Sequence, residues 1–422
     1  MFMPKWPPYY KKSGKIMEIL SLLDNPHLKL PPTIHVAGTN GKGSTIAFMK
    51  QILQEHNLNI CSFTTPHLLE FNECFEVNNQ HLNDSQIDRL TEEIKLKLKN
   101  QIEPSFFEFQ AALAFLSFSR SNADICIIEC GMGAKNDPTN ILPSPLLSVI
   151  TPISFDHEEF LGASLEEITI DKCHIIKRSP VISAAQNEIS NHIIREFSKL
   201  QNTTLHNYNE SYDFSVENNK LIYADIKNNE LIYYNLPSLN GEHQIINLVT
   251  AITAIKAQSL HEISDATINK AIEKTKWPGR LEKLSASNNQ EIWFDGAHNP
   301  AGAMYLSKWL IQNNNSKICL IYGRSANKNH ADFLKYFLNK NIDICFVTVE
   351  NEAKAESTHN FKKFCTNNID YQNIRIFDNL TIMFNDFLPG SKYNIILVCG
   401  SLFLYRDLKN NLQQKKPPKR RL

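Results

Sequence analysis

Gly38-Thr39-Asn40-Gly41-Lys42-Gly43-Ser44-Thr45 stands between a short apolar run, Thr33-Ile34-His35-Val36-Ala37, and a segment of helical spacing from Thr45 to His56. The apolar run reads as a buried strand, and Ile46, Met49, Ile52 and Leu53 recur as one face of a helix does. Between a strand and a helix, glycines let backbone N–H groups close around phosphate oxygens, and the helix start adds positive potential. Lys42 is then placed to reach the β and γ phosphates of a nucleotide, and Ser44 or Thr45 to touch phosphate or Mg²⁺. An ordinary glycine turn capping a helix is the alternative, and the Gly-Lys-Gly-Ser order weighs against it. The common P-loop has Ser or Thr directly after the lysine, whereas here Gly43 intervenes.

Outward from this loop, strand-like and helix-like segments alternate. Phe106 to Phe118 reads as a helix, Asp124 to Cys130 as a strand buried on both faces, and Leu146 to Thr151 as another strand. Leu165 to Lys172 follows as a helix and Val181-Ile182-Ser183 as a strand, an order that implies right-handed βαβ units and a mostly parallel sheet. Residues 203–235 change character: Asn218-Asn219 and Asn228-Asn229 separate short β-like runs, as in a small antiparallel insertion with asparagine turns. A helix from about Gln244 to Ser259 resumes the alternation. The pattern breaks near Ala286-Ser287-Asn288-Asn289, and a further α/β series uses Glu291 to Phe294, Ile318 to Tyr322, Ile344 to Val349 and Asn394 to Cys399 as strands. The expected class is α/β, with a P-loop ATPase-type N-terminal domain over 1–284 and a smaller Rossmann-like α/β domain over 285–422.

The 422 residues exceed one ordinary core. Lys+Arg and Asp+Glu number 44 each, which excludes a broad basic footprint for nucleic acid. The basic tail at 415–421 is broken by Pro417 and Pro418 and reads as a solvated terminus. No apolar run approaches the ~18 residues a membrane span needs, and the start lacks the order of a secretion signal. Nine scattered cysteines without a Cys-x-x-Cys pair argue against a disulfide framework or a zinc site and suit a reducing cytoplasm. A monomer is the expected state.

With Val36-Ala37 before it, the glycine loop resembles the ATP loop of the Mur ligase superfamily, which joins a carboxylate to an amino acid. Further motifs resemble the folylpolyglutamate synthases within it: Thr64-Thr65-Pro66-His67-Leu68, Phe71-Asn72-Glu73, Ser105-Phe106-Phe107-Glu108-Phe109 and Glu129-Cys130-Gly131-Met132-Gly133. In family order follow Asp137-Pro138-Thr139-Asn140, Asp156-His157, Gly241-Glu242-His243-Gln244 with Asn247, and Trp277-Pro278-Gly279-Arg280-Leu281-Glu282. Asp295-Gly296-Ala297-His298-Asn299-Pro300 and Gly400-Ser401-Leu402 complete the set.

Glu129 ends a buried strand and His157 follows the next, both at the carboxyl edge where open α/β sheets bind ligands. A strand-end carboxylate and a helix-capping histidine remain the bland alternative. The resemblance implies metal-ligand positions for Thr65, Glu129 and His157, with Mg²⁺ as the ion and ATP as the nucleotide. It implies ATP contacts for Gly38 through Thr45, contacts with ATP or its surroundings for Gln244, Asn247, Arg280, Asp295 and His298, and catalytic roles for Lys42, Lys172 and His298. Pro66, His67, Phe71 and Asn72 fall on the folate side by the same likeness, and His298 and Ser401 near glutamate. Lys172, in Asp171-Lys172-Cys173-His174, lies where the family carries a lysine turned by CO₂ into a carbamate; a surface helix lysine is the alternative. Lys135 and Cys74 stand where the family usually has arginine, and Asn327 where it has aspartate. The implied reaction adds L-glutamate to a reduced folate, and to dihydropteroate, through an acyl phosphate. A muramoyl-peptide ligase and a non-catalytic ATP-binding regulator are the rival readings.

Overall fold

The computed structural model describes residues 14–414 apart from 100, 288–289, 314–315, 327, 339–340, 351 and 353. The basic tail and position 327 lie outside the described residues. The chain divides into two compact units, one running to Ser238 and including His243–Lys276, the other made of Leu239–Glu242 and the chain from Trp277 onward.

The first unit carries eight strands in one sheet: Thr33–Ala37 (β1), Ile60–Phe63 (β2), Phe75–Val77 (β3), Gln80–His81 (β4), Ile125–Glu129 (β5), Leu147–Ile150 (β6), Val181–Ser183 (β7) and Leu205–Asn207 (β8). Their order is β4-β3-β2-β5-β1-β6-β7-β8. All neighbours from β2 to β8 run parallel, and β3 and β4 turn back antiparallel at one edge. Every residue of β1 and β5 is buried, as a strand covered on both faces requires. Side chains alternate across the sheet, so Cys61, Phe63, Cys126 and Ile128 share one cluster with the helix Phe106–Phe118. That helix is apolar all round and buried, and it starts on a reciprocal cap: Ser105 Oγ accepts from Glu108 N while Glu108 Oε2 accepts from Ser105 N at 2.8 Å.

The helix after the glycine loop spans Lys42–Glu55, three residues earlier than its apolar spacing indicates. Gly41 supplies a left-handed cap at φ 87°, a conformation that costs a residue with a Cβ, so Lys42 is already helical. The insertion is a three-stranded antiparallel sheet of Tyr212–Glu217 (β9), Lys220–Asp225 (β10) and Glu230–Asn235 (β11). Asn218 and Asn219, both at positive φ, make the two-residue turn between β9 and β10.

The second unit holds Glu282–Ser287 (β12), Gln290–Phe294 (β13), Ile318–Tyr322 (β14), Ile342–Val347 (β15), Arg375–Phe377 (β16) and Ile395–Cys399 (β17). The order is β12-β13-β17-β14-β15-β16, parallel throughout except for antiparallel β12 at the edge. The compact units divide at Lys276–Trp277, and the break in pattern near 286–289 falls inside the β12–β13 hairpin. Arg280 therefore belongs to the second unit.

Phe118 is fully buried in the cluster around the helix Phe106–Phe118, whereas Leu96 is 74% exposed. Phe118→Ala is expected to cost about 3–5 kcal/mol in denaturant unfolding. Leu96→Ala is expected to cost less than about 0.5 kcal/mol, and equal losses would contradict this placement of the core.

Candidate active site

The loop leaves β1 in the middle of the sheet, where β5 and β6 flank it. Gly38 takes φ 147°, and a Cβ there would lie 1.9 Å from Thr151 Oγ1. A Cβ on Gly41 would lie 2.1 Å from Asn247 Oδ1. The helix His243–Ala257 thus brings Asn247 against a glycine more than two hundred positions away in the chain. Asn247 Nδ2 in turn donates to Gln244 Oε1 at 2.9 Å, and both side chains are buried. Thr39 Oγ1 donates to Ser154 O at 3.0 Å and Asn40 Nδ2 to Ser154 Oγ at 3.1 Å, which ties the loop to the segment after β6. Ser44 and Thr45 are buried in the first turn of the helix, and Gly43 lies between Lys42 and Ser44 in that same turn.

Two lysines meet at this loop. Lys42 Nζ donates to Gly38 O at 3.2 Å and Thr39 O at 3.3 Å, and lies 4.0 Å from Glu129 Oε1. Lys172 Nζ donates to Gly38 O at 2.9 Å. Lys172 is not a surface residue: its helix, Leu165–Cys173, turns it inward to 4% exposure. Burial first, and then the charge of Lys42, lowers its pKa to about 8.

Glu129 Oε2 accepts from Thr65 N at 3.0 Å, so these two expected metal positions adjoin. Glu129 ends β5 and His157 follows β6, with β1 and its glycine loop between them. His157 takes φ 54° and caps the short helix Glu158–Leu161 through its backbone alone; its Nε2 lies 3.9 Å from Asp156 Oδ2. The Thr65–Pro66 bond is cis. His67 and Phe71 meet edge to face at 6.0 Å, but Phe71 also packs on Phe75 and Phe106 and is largely core. Asn72 lies in the 3₁₀ turn Phe71–Cys74. Glu73 shapes this loop by accepting from Leu68 N, Leu69 N and Glu70 N. Cys74, in an arginine's usual place, is buried, with Gln110 Nε2 at 3.9 Å from its sulfur.

In the second unit, Asp295 Oδ2 accepts from Leu281 N and Oδ1 from Ala297 N, each at 2.7 Å. Its side chain is committed to holding a loop. Arg280 lies over Gly296, where a Cβ would sit 2.3 Å from the guanidinium. His298 Nδ1 donates to Gly296 O at 3.1 Å, which puts the neutral ring's lone pair on Nε2. The cap of the helix Pro300–Gln312 is Asn299, whose Oδ1 accepts from Gly302 N. Ser401 Oγ donates to Glu352 Oε2 at 3.2 Å, and Ser325 bonds the other oxygen of the same carboxylate. Glu352 carries no motif and escapes a sequence reading. Asp137 sits in a recognisable motif but reveals its task only here: it accepts from Gly131 N, Met132 N and Thr139 N.

Residues 36–255 match the family model of the Mur ligase middle domain, and residues 279–402 that of the Mur ligase glutamate ligase domain. The chain belongs to the Mur ligases. It is 30% identical over 423 residues to the dihydrofolate synthase/folylpolyglutamate synthase of Bacillus subtilis, covering 95% of this chain and 94% of that one. It is 29% identical to the dihydrofolate synthetase of Saccharomyces cerevisiae, covering 94% and 96%. Among solved structures, folylpolyglutamate synthase from Thermotoga maritima superposes with TM-score 0.79 at 26% identity, over 95% of this chain and 93% of that one. E. coli FolC in complex with ADP gives TM-score 0.83 at 25% identity, over 94% of each. The protein is an ATP-dependent ligase of this group, and the muramoyl-peptide alternative is not favoured. No helix among the described residues is long and apolar enough to cross a membrane. All nine cysteines are free and buried.

Lys172 gives the ligase a pH signature. Its pKa lies near 8 in the fold against an ordinary 10.5, so the unfolded chain holds the extra proton between those values. Stability then rises with pH in that window. In bicarbonate-free buffer, the unfolding free energy of the wild type relative to Lys172→Met is expected to grow by about 1.5 kcal/mol from about pH 8 to about pH 9.5. A difference that stays flat in urea titrations would contradict the burial of this amine.

Proposed function

We propose that the ligase adds L-glutamate to the carboxylate of a reduced folate or of dihydropteroate, using ATP and Mg²⁺. The observation that carries this reading is the convergence of Lys42, Lys172 and Glu129 on the Gly38–Thr45 loop. A free carboxylate resists amine attack because its leaving group would be oxide. Its oxygen therefore attacks the γ-phosphorus, ADP leaves, and an acyl phosphate forms. The glutamate amine then attacks the acyl carbon, loses a proton, and expels inorganic phosphate as the amide forms.

Backbone donors from Gly38 to Thr45, with Lys42, would hold phosphate oxygens and stabilise the charge that develops in transfer. Gln244, Asn247, Arg280 and Asp295 are assigned to the nucleotide. Thr65 and Glu129 offer a hydroxyl and a carboxylate, hard oxygen donors that fit Mg²⁺, with His157 assigned to the same set across the glycine loop. Mg²⁺ there would neutralise charge on phosphate oxygens. Pro66, His67, Phe71 and Asn72 are assigned to the folate side, with Phe71 acting mainly through packing. His298 and Ser401 are assigned to glutamate, in the unit matching the glutamate ligase domain. The same reading makes the protein a cytoplasmic monomer.

The depressed Lys172 pKa supports a carbamate, because only the neutral amine attacks CO₂, losing one proton as the carbamate anion forms. Lys172→Ala is expected to lose about 100-fold or more in kcat/KM, the scale of removing one electrostatic contact, and to regain part with acetate. Full activity without acetate would refute the role. The reaction itself is tested by oxygen-18 in the pterin acid's carboxylate: one labelled oxygen is expected in the inorganic phosphate released. Unlabelled phosphate during amide synthesis would overturn the acyl-phosphate route.

A further inference from the structure

At the carboxyl end of β14 the second unit buries an arginine, within Gly323-Arg324-Ser325-Ala326, to which the sequence reading assigned no role. Arg324 is 3% exposed. Its Nη1 donates to Tyr322 Oη at 3.1 Å and to Asn329 O at 3.2 Å, and its Nη2 donates to His298 O at 3.1 Å. A guanidinium can only donate, so the Tyr322 hydroxyl accepts from it and sends its own proton to His330 Nδ1, 3.0 Å away. His330 then carries its proton on Nε2, which donates to Glu356 Oε2 at 3.0 Å. Glu356 Oε1 accepts from Ser357 N, and Glu356 N donates to Arg324 O, both at 2.9 Å. The bonds run one way, from a buried cation through tyrosine and histidine to a buried carboxylate, each polarising the next. Burial lowers the His330 pKa against the pull of its bond to Glu356, with Arg324's charge adding to the lowering.

Such a chain is a costly way to hold a fold. Arg324 Nε has no partner among the described residues, and a buried charged side chain with an unpaired N–H is usually no more stable than an apolar one. What it secures is the carbonyl of His298. That residue sits in a loop otherwise pinned by Asp295, by Gly400 N donating to Ala297 O, and by the Asn299 cap. Arg324 adds a hold on the backbone of His298, whose imidazole bonds Gly296 O through Nδ1.

We propose that Arg324 is a positioning residue for glutamate addition, orienting His298 through its carbonyl with Tyr322, His330 and Glu356 holding the guanidinium in place. The inference rests on the assignment of His298 to glutamate made above. The experiment compares Arg324→Met, Arg324→Lys and Arg324→Ala with the wild type in KM for glutamate, KM for ATP, kcat and thermal unfolding. Arg324→Met is expected to stay folded and to raise the glutamate KM about 10-fold or more with the ATP KM within about twofold, a loss of local alignment. Arg324→Lys, one point charge in place of a fork, is expected to fall between the two. Added guanidinium is expected to recover part of the Arg324→Ala loss.

A glutamate KM within about twofold of wild type in a folded variant, a parallel rise in both KM values, or no response to guanidinium would overturn the proposal. Should the arginine variants not fold, Glu356→Gln leaves Arg324 in place and removes its distant counter-charge. A selective rise in glutamate KM supports the proposal there, and unchanged kinetics overturns it. Failure of the wild type to form the amide would instead sink the proposed function, so the two failures are distinguishable.

Discussion

One carbonyl oxygen, that of Gly38, receives two ammonium groups, and most of what distinguishes this sheet follows from that crowding. Lys42 and Lys172 donate to it from different helices, at 3.2 and 2.9 Å. Two like charges brought to one acceptor repel, and more strongly where water is excluded. Glu129 offers one carboxylate at 4.0 Å from Lys42, and Asp156 and Asp171 act on Lys172, so both ammonium groups gather with acids beneath a loop of backbone donors. Burial first, and the charge of Lys42 second, depress the Lys172 pKa there. An anion with several negative oxygens is what relieves the repulsion, and a nucleotide's phosphates have that form.

The geometry depends on backbone that only glycine tolerates. Gly38 at φ 147° packs directly on Thr151, and Gly41 at φ 87° lets Asn247 approach closely while capping the helix that begins at Lys42. Sheet order then sets the chemistry around it. With β5 on one side of β1 and β6 on the other, the acid at the end of β5 and the imidazole after β6 flank the loop without competing for the same space. The parallel sheet thus presents donors, carboxylate and imidazole at a single edge, as doubly wound sheets do.

What the sequence made legible was whatever local periodicity or a contiguous motif encodes. The strands at β1, β5 and β7, the apolar helix ending at Phe118 and the asparagine turn at Asn218-Asn219 all declare themselves within a few residues. The break near 286–289 is the turn of a hairpin, which interrupts the pattern as a linker would. The inward turn of Lys172 did not declare itself, since lysine in a short amphipathic helix has the same spacing whether it faces solvent or a loop in another segment. Asn247 against Gly41, and Glu352 between Ser325 and Ser401, are long-range neighbours that no spacing rule records. His298 and Asn299 show the finer limit: either can cap a helix, and only the structure gives the cap to Asn299.

The acids of the motifs carry a further lesson about what such motifs mean. Glu73 accepts from three successive N–H groups, Asp137 from the turn after β5, Asp295 from two loops, and Asp171 from Ala134 N at 2.6 Å. Each carboxylate is the centre around which a loop is wound, and each such charge-assisted bond is worth about 1.5–3 kcal/mol. Asp137 shows how far this is taken: burial raises its pKa to about 6 against the pull of four hydrogen bonds, so its charge is kept inside at a net cost. A cost of that kind makes sense where backbone placement matters more than stability. Within the first unit Glu73 and Asp137 hold the loops next to His67 and Glu129, and within the second Asp295 holds the loop next to His298, so part of each motif serves to place its neighbours.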